Sequence, residues 1–196
     1  MTPVGIFPLD RIERQQGCGR FLAPIGSFVQ GGISVTTAAE GFHQLELVGV
    51  EVTEALGERI GESAAAGLVI DLRGELGAGK TALVRGLARG LGVEGMVRSP
   101  TFMIVSLHKG PISLLHVDAY RLEDPAELAL HGWDDWLASS VIAVEWADRV
   151  EAILPARRLR VDLAHQGVNV RTARICATGP SSRDGVALVY ERAIVC

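Results

Sequence analysis

From residue 44 onward the chain switches between two hydrophobic periods. Residues 44–48 alternate polar and apolar, as a half-buried strand does. Leu56, Ile60 and Ala64 then recur at helical spacing, which predicts a helix with Thr53 as N-cap and an end near Gly67. Residues 68–72 form a short apolar strand that runs straight into a glycine-rich turn, 74–79. Over 81–91 the helical period returns. Leu83, Leu87 and Leu91 share one face with Val84 and Ala88 beside them, and Arg85 and Arg89 take another. Gly86 and Gly90 each weaken this helix by about 1 kcal/mol relative to alanine, so tertiary packing must hold it.

Two further apolar runs, 102–107 and 112–117, meet through Lys109-Gly110-Pro111 and read as strands of a hairpin. Asp124-Pro125-Ala126-Glu127 is a helix start with a capping carboxylate, proline at the first position and glutamate at the third. That helix is expected to run to about Leu137, with Gly132 as a point of interruption. Residues 141–144 are wholly apolar and suit a central strand ending at Glu145-Trp146. A short helix to Pro155, strands at 159–163 and 170–177, and a helix near 186–194 complete the pattern. Strands alternating with helices predict a three-layer α/β domain on a mostly parallel central sheet with an inserted β-hairpin. Residues 1–42, with many Gly, Pro and Gln and no sustained period, read as an extension, poorly ordered or a misassigned start. The domain itself is expected at 43–196.

Composition narrows the class. The 196 residues are 48% hydrophobic and 21% charged, enough apolar material for a real core, and the net charge of −4 argues against binding nucleic acid by bulk charge. Cys18, Cys176 and Cys196 are too few and too scattered for a disulfide framework or a zinc site, so a reducing cytoplasm with no disulfide partner is expected. No apolar run approaches the roughly 20 residues that span a bilayer, and 1–16 lacks the apolar stretch of a secretory signal. Of 19 basic residues, 17 are arginine. A lysine kept in that background, at position 80 or 109, suggests a need for a compact ammonium.

The chemistry lies in Gly74-Glu75-Leu76-Gly77-Ala78-Gly79-Lys80-Thr81, which fits G-x-x-x-x-G-K-[ST] with a strand before it and a helix after. Backbone N–H groups of such a loop converge on phosphates at a helix N-terminus, where the dipole favours an anion. Lys80 brings a point charge to the β- and γ-phosphates, and the Thr81 hydroxyl suits Mg²⁺. Glu145, at the end of a buried strand, stands where a P-loop enzyme keeps its metal carboxylate. Trp146 reads either as a nucleotide neighbour or as a core residue.

Thr101, in Ser99-Pro100-Thr101-Phe102, reads as a γ-phosphate switch residue or as a turn residue satisfying its own backbone. His116-x-Asp118-x-Tyr120-Arg121 puts three polar groups on one face of an extended segment. Asp118 would orient the attacking or a metal-bound water, or else form a structural pair with Arg121. Arg157, Arg158 and Arg160 make the one basic cluster, a solvated face or a contact for RNA or an acidic partner.

In order and spacing, these segments together resemble the TsaE (YjeE) family, the P-loop ATPase component of tRNA threonylcarbamoyladenosine biosynthesis, over about residues 43–179. The resemblance implies a P-loop NTPase fold and an Mg²⁺-dependent ATP hydrolase that docks on a TsaD–TsaB pair and reaches tRNA indirectly through it. By position it implies that Lys80, Asp118 and Thr101 are catalytic, and that Thr81 and Glu145 hold the metal. It assigns nucleotide contacts to Thr53, Glu75, Leu76, Gly77, Ala78, Gly79, Lys80, Thr81 and Trp146. Leu107-His108 stands where the family commonly has an aromatic residue. A P-loop small-molecule kinase is the rival reading, and it would need an acceptor pocket and a cationic lid, for which the chain after Glu145 offers only the three arginines at 157, 158 and 160. A nucleotide-binding module without chemistry is a third. No Asn-Lys-x-Asp guanine motif occurs, which disfavours GTP.

Overall fold

The computed structural model describes residues 27–30, 33–37, 42–100 and 103–179, with Val189 and Arg192. Among the described residues, nine strands form one sheet. They are β1 (Ser27–Gln30), β2 (Ile33–Thr37), β3 (His43–Val48), β4 (Val69–Arg73), β5 (Val105–His108), β6 (Ser113–Asp118), β7 (Ser140–Glu145), β8 (Leu159–His165) and β9 (Val170–Ala177). The order across the sheet is β1-β2-β3-β9-β8-β4-β7-β6-β5. Parallel pairing is confined to the centre, β8-β4-β7-β6, and both flanks are antiparallel, so the sheet is mixed around a parallel core. The expected hairpin is β5–β6, with Val105 opposite Val117. In the stretch assigned to an N-terminal extension, β1 and β2 pair antiparallel and carry the sheet past β3.

Strand alternation divides the interior into two cores, one on each side of the sheet. Leu114, Val141, Ala143, Ile70 and Leu72 face helices α1 (Val50–Ser63) and α2 (Lys80–Gly90), where Leu56, Ile60, Leu83 and Leu87 complete the first core. Leu115, Val117, Ile142, Val144 and Val69 face the other way, against Trp133, Leu128 and Val150. The second layer contains helix α3 (Trp133–Ser139) and 3-10 segments at Ala119–Arg121, Pro125–His131 and Ala147–Ile153.

The glycines that weaken α2 locally have a tertiary reason. A Cβ at Gly86 would meet the Glu54 carbonyl of α1, and one at Gly90 would meet that of Glu58. Gly57 and Gly61 on α1 are pressed in the same way against the Leu83 and Leu87 carbonyls of α2. Four glycines at i, i+4 spacing let the two backbones touch, so close packing replaces helix propensity.

Three expectations are corrected. Thr53 is not an N-cap: α1 begins at Val50, and Thr53 lies one turn inside it, fully buried, with Oγ1 donating to the Gly49 carbonyl at 3.4 Å. The continuous helix over 124–137 is broken. Asp124 and Glu127 do form the capping pair, with Ala126 N donating to Asp124 Oδ1 at 2.9 Å and Asp124 N to Glu127 Oε1 at 3.1 Å. The segment that follows is 3-10, and left-handed Gly132 at φ 75° separates it from α3. The basic cluster also dissolves. Arg158 is buried in an ion cluster with Asp71 (2.8 Å) and Glu151 (3.0 Å), and Arg160 pairs with Asp162 on its own strand. Thr101 lies outside the described residues, as does the helix expected near 186–194 apart from isolated positions. Among the described residues no helix is long and apolar enough to cross a membrane.

Candidate functional site

The carboxyl ends of the parallel strands collect the chemistry-bearing residues on one edge, where open α/β sheets bind ligands. β4 delivers the loop 74–79, and α2 starts at Lys80, so the helix's first N–H groups face outward unpaired from the helix ladder. Gly74 has φ 133°, and a Cβ there would strike the Leu163 carbonyl of β8. Gly79 has φ 108° and caps α2 in the left-handed region. These two positions need glycine for conformation and close approach together.

Lys80 is 4% exposed, and its Nζ donates to the carbonyls of Gly74 (2.7 Å) and Glu75 (2.9 Å). The same ammonium lies 3.8 Å from the Trp146 ring centroid. Burial pushes the Lys80 ammonium below the usual lysine range, against the opposing fields of Glu145 and Asp118. An anion arriving at the loop would favour the charged form that desolvation opposes.

Next along the edge, Thr81 Oγ1 donates to Glu145 Oε1 at 2.8 Å, across 64 residues of sequence. Glu145 ends β7 and is paired in register with Asp118, which ends β6. Asp118 is 4% exposed; its Oδ2 accepts from Ser99 Oγ at 3.0 Å and its Oδ1 from the Tyr120 amide at 3.1 Å. The two acids therefore stand side by side at strand ends, next to the loop lysine. A hydroxyl and a carboxylate in this relation are the hard oxygen donors Mg²⁺ prefers, and that ion ordinarily shares itself between few protein groups and substrate phosphates. Thr81 and Glu145 fit such a cation.

Only two non-glycine residues among those described have positive φ, Ile104 (63°) and Trp146 (58°). Each costs about 1–2 kcal/mol for an L-residue. Ile104's carbonyl accepts the Asp118 amide at 2.8 Å, and Trp146 directly follows Glu145. The strain thus lies against the two acids, the setting in which functional sites tend to keep it. Trp146 is held by Tyr120, whose ring centroid lies 4.9 Å away, and by the Lys80 cation.

Most of the expected residues come together here: Glu75, Leu76, Gly77, Ala78, Gly79, Lys80 and Thr81 in the loop, with Asp118, Glu145 and Trp146 around it. Leu76 is 80% exposed at the loop's crest. Thr53 reaches the same place from behind, its methyl 3.5 Å from where a Gly79 Cβ would sit.

Sequence reasoning missed Arg171. Its Nε lies 3.2 Å from that same Gly79 position, and both Nε and Nη1 are buried with no hydrogen-bond partner among the described residues. A guanidinium with orphaned donors beside the glycine loop has the chemistry to take an anion. The available signal was strand alternation: Arg171 continues the inward face of Ala173 and Ile175, which are both fully buried. His165, opposite Arg171 on β8, closes this wall with Nε2 3.5 Å from the Gly77 position.

Comparisons with known proteins agree on one family. The model described as "Threonylcarbamoyl adenosine biosynthesis protein TsaE" matches residues 48–174. A tRNA threonylcarbamoyladenosine biosynthesis protein TsaE from Streptomyces coelicolor is 44% identical over 138 residues, 65% of this chain and 90% of that protein. The protein of the same name from Bacillus subtilis is 38% identical over 134 residues, 67% of this chain and 84% of that one. Among solved structures, Bacillus subtilis YdiB superposes with a TM-score of 0.65 at 29% identity, covering 78% of this chain and 93% of that one.

Proposed function

The chain belongs to the TsaE family of tRNA threonylcarbamoyladenosine biosynthesis, and from that membership we propose that it is an Mg²⁺-dependent ATP hydrolase serving the modification as an accessory that docks on a TsaD–TsaB pair. The observation that carries this reading is the Thr81–Glu145 hydrogen bond at 2.8 Å, which joins the phosphate loop to the strand-end acids. In this reading the amides of 74–80 and the Lys80 ammonium bind the β- and γ-phosphates, and Arg171 adds a second cation from β9. Thr81 and Glu145 hold Mg²⁺, which would neutralise charge on the phosphates. Asp118, fixed through Ser99 and the Tyr120 amide, orients the attacking water and receives its proton. Thr101 is the switch contact to the γ-phosphate, and Thr53 and Trp146 lie against the nucleotide. tRNA is reached through the partner pair, and a cytoplasmic location follows from that role.

The test is phosphate release from ATP by the full chain with Mg²⁺, alone and with a TsaD–TsaB pair added. Release is expected, faster with the pair. Asp118→Asn is expected to lose about 100-fold or more, the worth of a positioned general base. Transfer of the γ-phosphate to a metabolite, with no free phosphate, would replace this reading by the kinase.

A further inference from the structure

His116 stands on β6 between the two cores and is fully buried, yet no step above uses it. Its Nε2 lies 2.9 Å from Glu145 Oε1. A carboxylate only accepts, so Nε2 carries the hydrogen and donates. The other ring nitrogen, Nδ1, is buried with no hydrogen-bond partner among the described residues. A buried acceptor left bare carries a cost that an apolar side chain of similar volume would avoid. Packing alone therefore does not account for an imidazole at this position.

What the imidazole does is visible at Glu145. The Oε1 atom accepts from both His116 and Thr81, while no described residue hydrogen-bonds to Oε2. One oxygen of the acid is thus clamped from two sides, by a loop residue and by a strand residue, and the carboxylate plane is held with the other oxygen left over. We propose that His116 is a positioning residue for the metal site: its Nε2–H locks the Glu145 carboxylate in the orientation that serves the cation beside Thr81. The proposal rests on the magnesium reading given above. Partners that orient a metal carboxylate without touching the metal are typically worth about tenfold to 100-fold in metal affinity.

The experiment is calorimetric titration of the full chain with ADP, in the presence and absence of Mg²⁺, supported by NMR of ¹⁵N-histidine protein. The wild type is expected to bind Mg-ADP more tightly than ADP alone. His116→Leu should lose about tenfold to 100-fold of the Mg²⁺ contribution and keep its affinity for metal-free ADP. His116→Gln, which retains an N–H at similar reach, should recover most of the loss. If the wild type gains nothing from Mg²⁺, the magnesium reading itself fails. If it gains and His116→Leu gains equally, His116 is structural and the positioning role is overturned. NMR decides independently of how the variants fold: the wild-type ring must be in the Nε2–H form and its signals must move when Mg-ADP is added. An Nδ1–H ring overturns the proposal.

Discussion

Replacing Arg171 by methionine should move stability and binding in opposite directions. The guanidinium's Nε and Nη1 are buried with no partner among the described residues, and each unsatisfied donor costs about 1–3 kcal/mol in the nucleotide-free protein. Methionine keeps an unbranched apolar stem and removes both. Allowing for packing lost at the tip, the variant is expected to be more stable without ligand by about 1 kcal/mol, or roughly 2–4 °C in melting temperature. Binding should respond the other way. Nε lies against Gly79, where a phosphate oxygen would satisfy it, and a hydrogen bond to a charged group is worth about 1.5–3 kcal/mol. Affinity for Mg-ATP or a non-hydrolysable analogue should therefore fall roughly 10- to 150-fold. Thermal denaturation without ligand and calorimetry with it give the two numbers. A variant that melts lower and binds equally well would show Arg171 to be a structural residue and would refute the reasoning.

Other perturbations test the frame around the site. Gly86→Ala should gain about 1 kcal/mol of helix propensity, but the new methyl meets the Glu54 carbonyl, a backbone atom that no rotamer change can move aside. A net destabilisation of about 2 kcal/mol is expected, and a rise in the urea midpoint would mean that α1 and α2 separate without cost. Asp71 is opposed by its burial, but the hydrogen bonds from Arg73 and Arg158 outweigh this and hold its carboxyl below the usual range. Its contribution is therefore complete above the unfolded value of about 4 and is lost as pH falls through the lower native value. Asp71→Asn should cost about 3–5 kcal/mol at pH 7, and its gap from the wild type should narrow only below pH about 4. A gap that already closes between pH 7 and 5 would contradict the assignment.

Two signals in this chain are local enough to be read from order alone. One is hydrophobic period, which located β3, β4, α2, β6 and β7 to within a residue, because each buries a face whose spacing follows backbone geometry, whereas β5 begins at Val105, three residues after the expected start. The other is the run from Gly74 to Thr81, where a helix N-terminus, three glycines of positive φ and an ammonium are contiguous. Glu145 and Asp118 were legible because each ends an apolar strand, and parallel strands end on one edge.

Tertiary structure decided everything that depends on distance across the fold. Gly86 and Gly90 look like defects until α1 is laid against them, for a clash with an opposing carbonyl has no trace in local spacing. Thr53 reads as a cap by residue type, but Gly49 already turns the chain, so the threonine is drawn one turn into the helix and buried behind the loop. Arg158 reads as surface charge, and only the adjacency of β8 to β4 brings Asp71 to it. Arg171 and His116 are 91 and 36 residues from Lys80 in the chain, a separation that the β9 and β6 positions in the sheet remove. Local order sets which backbone forms are favourable; the meeting of charges, orphaned donors and closely packed glycines belongs to long-range contact, which one-dimensional spacing does not encode.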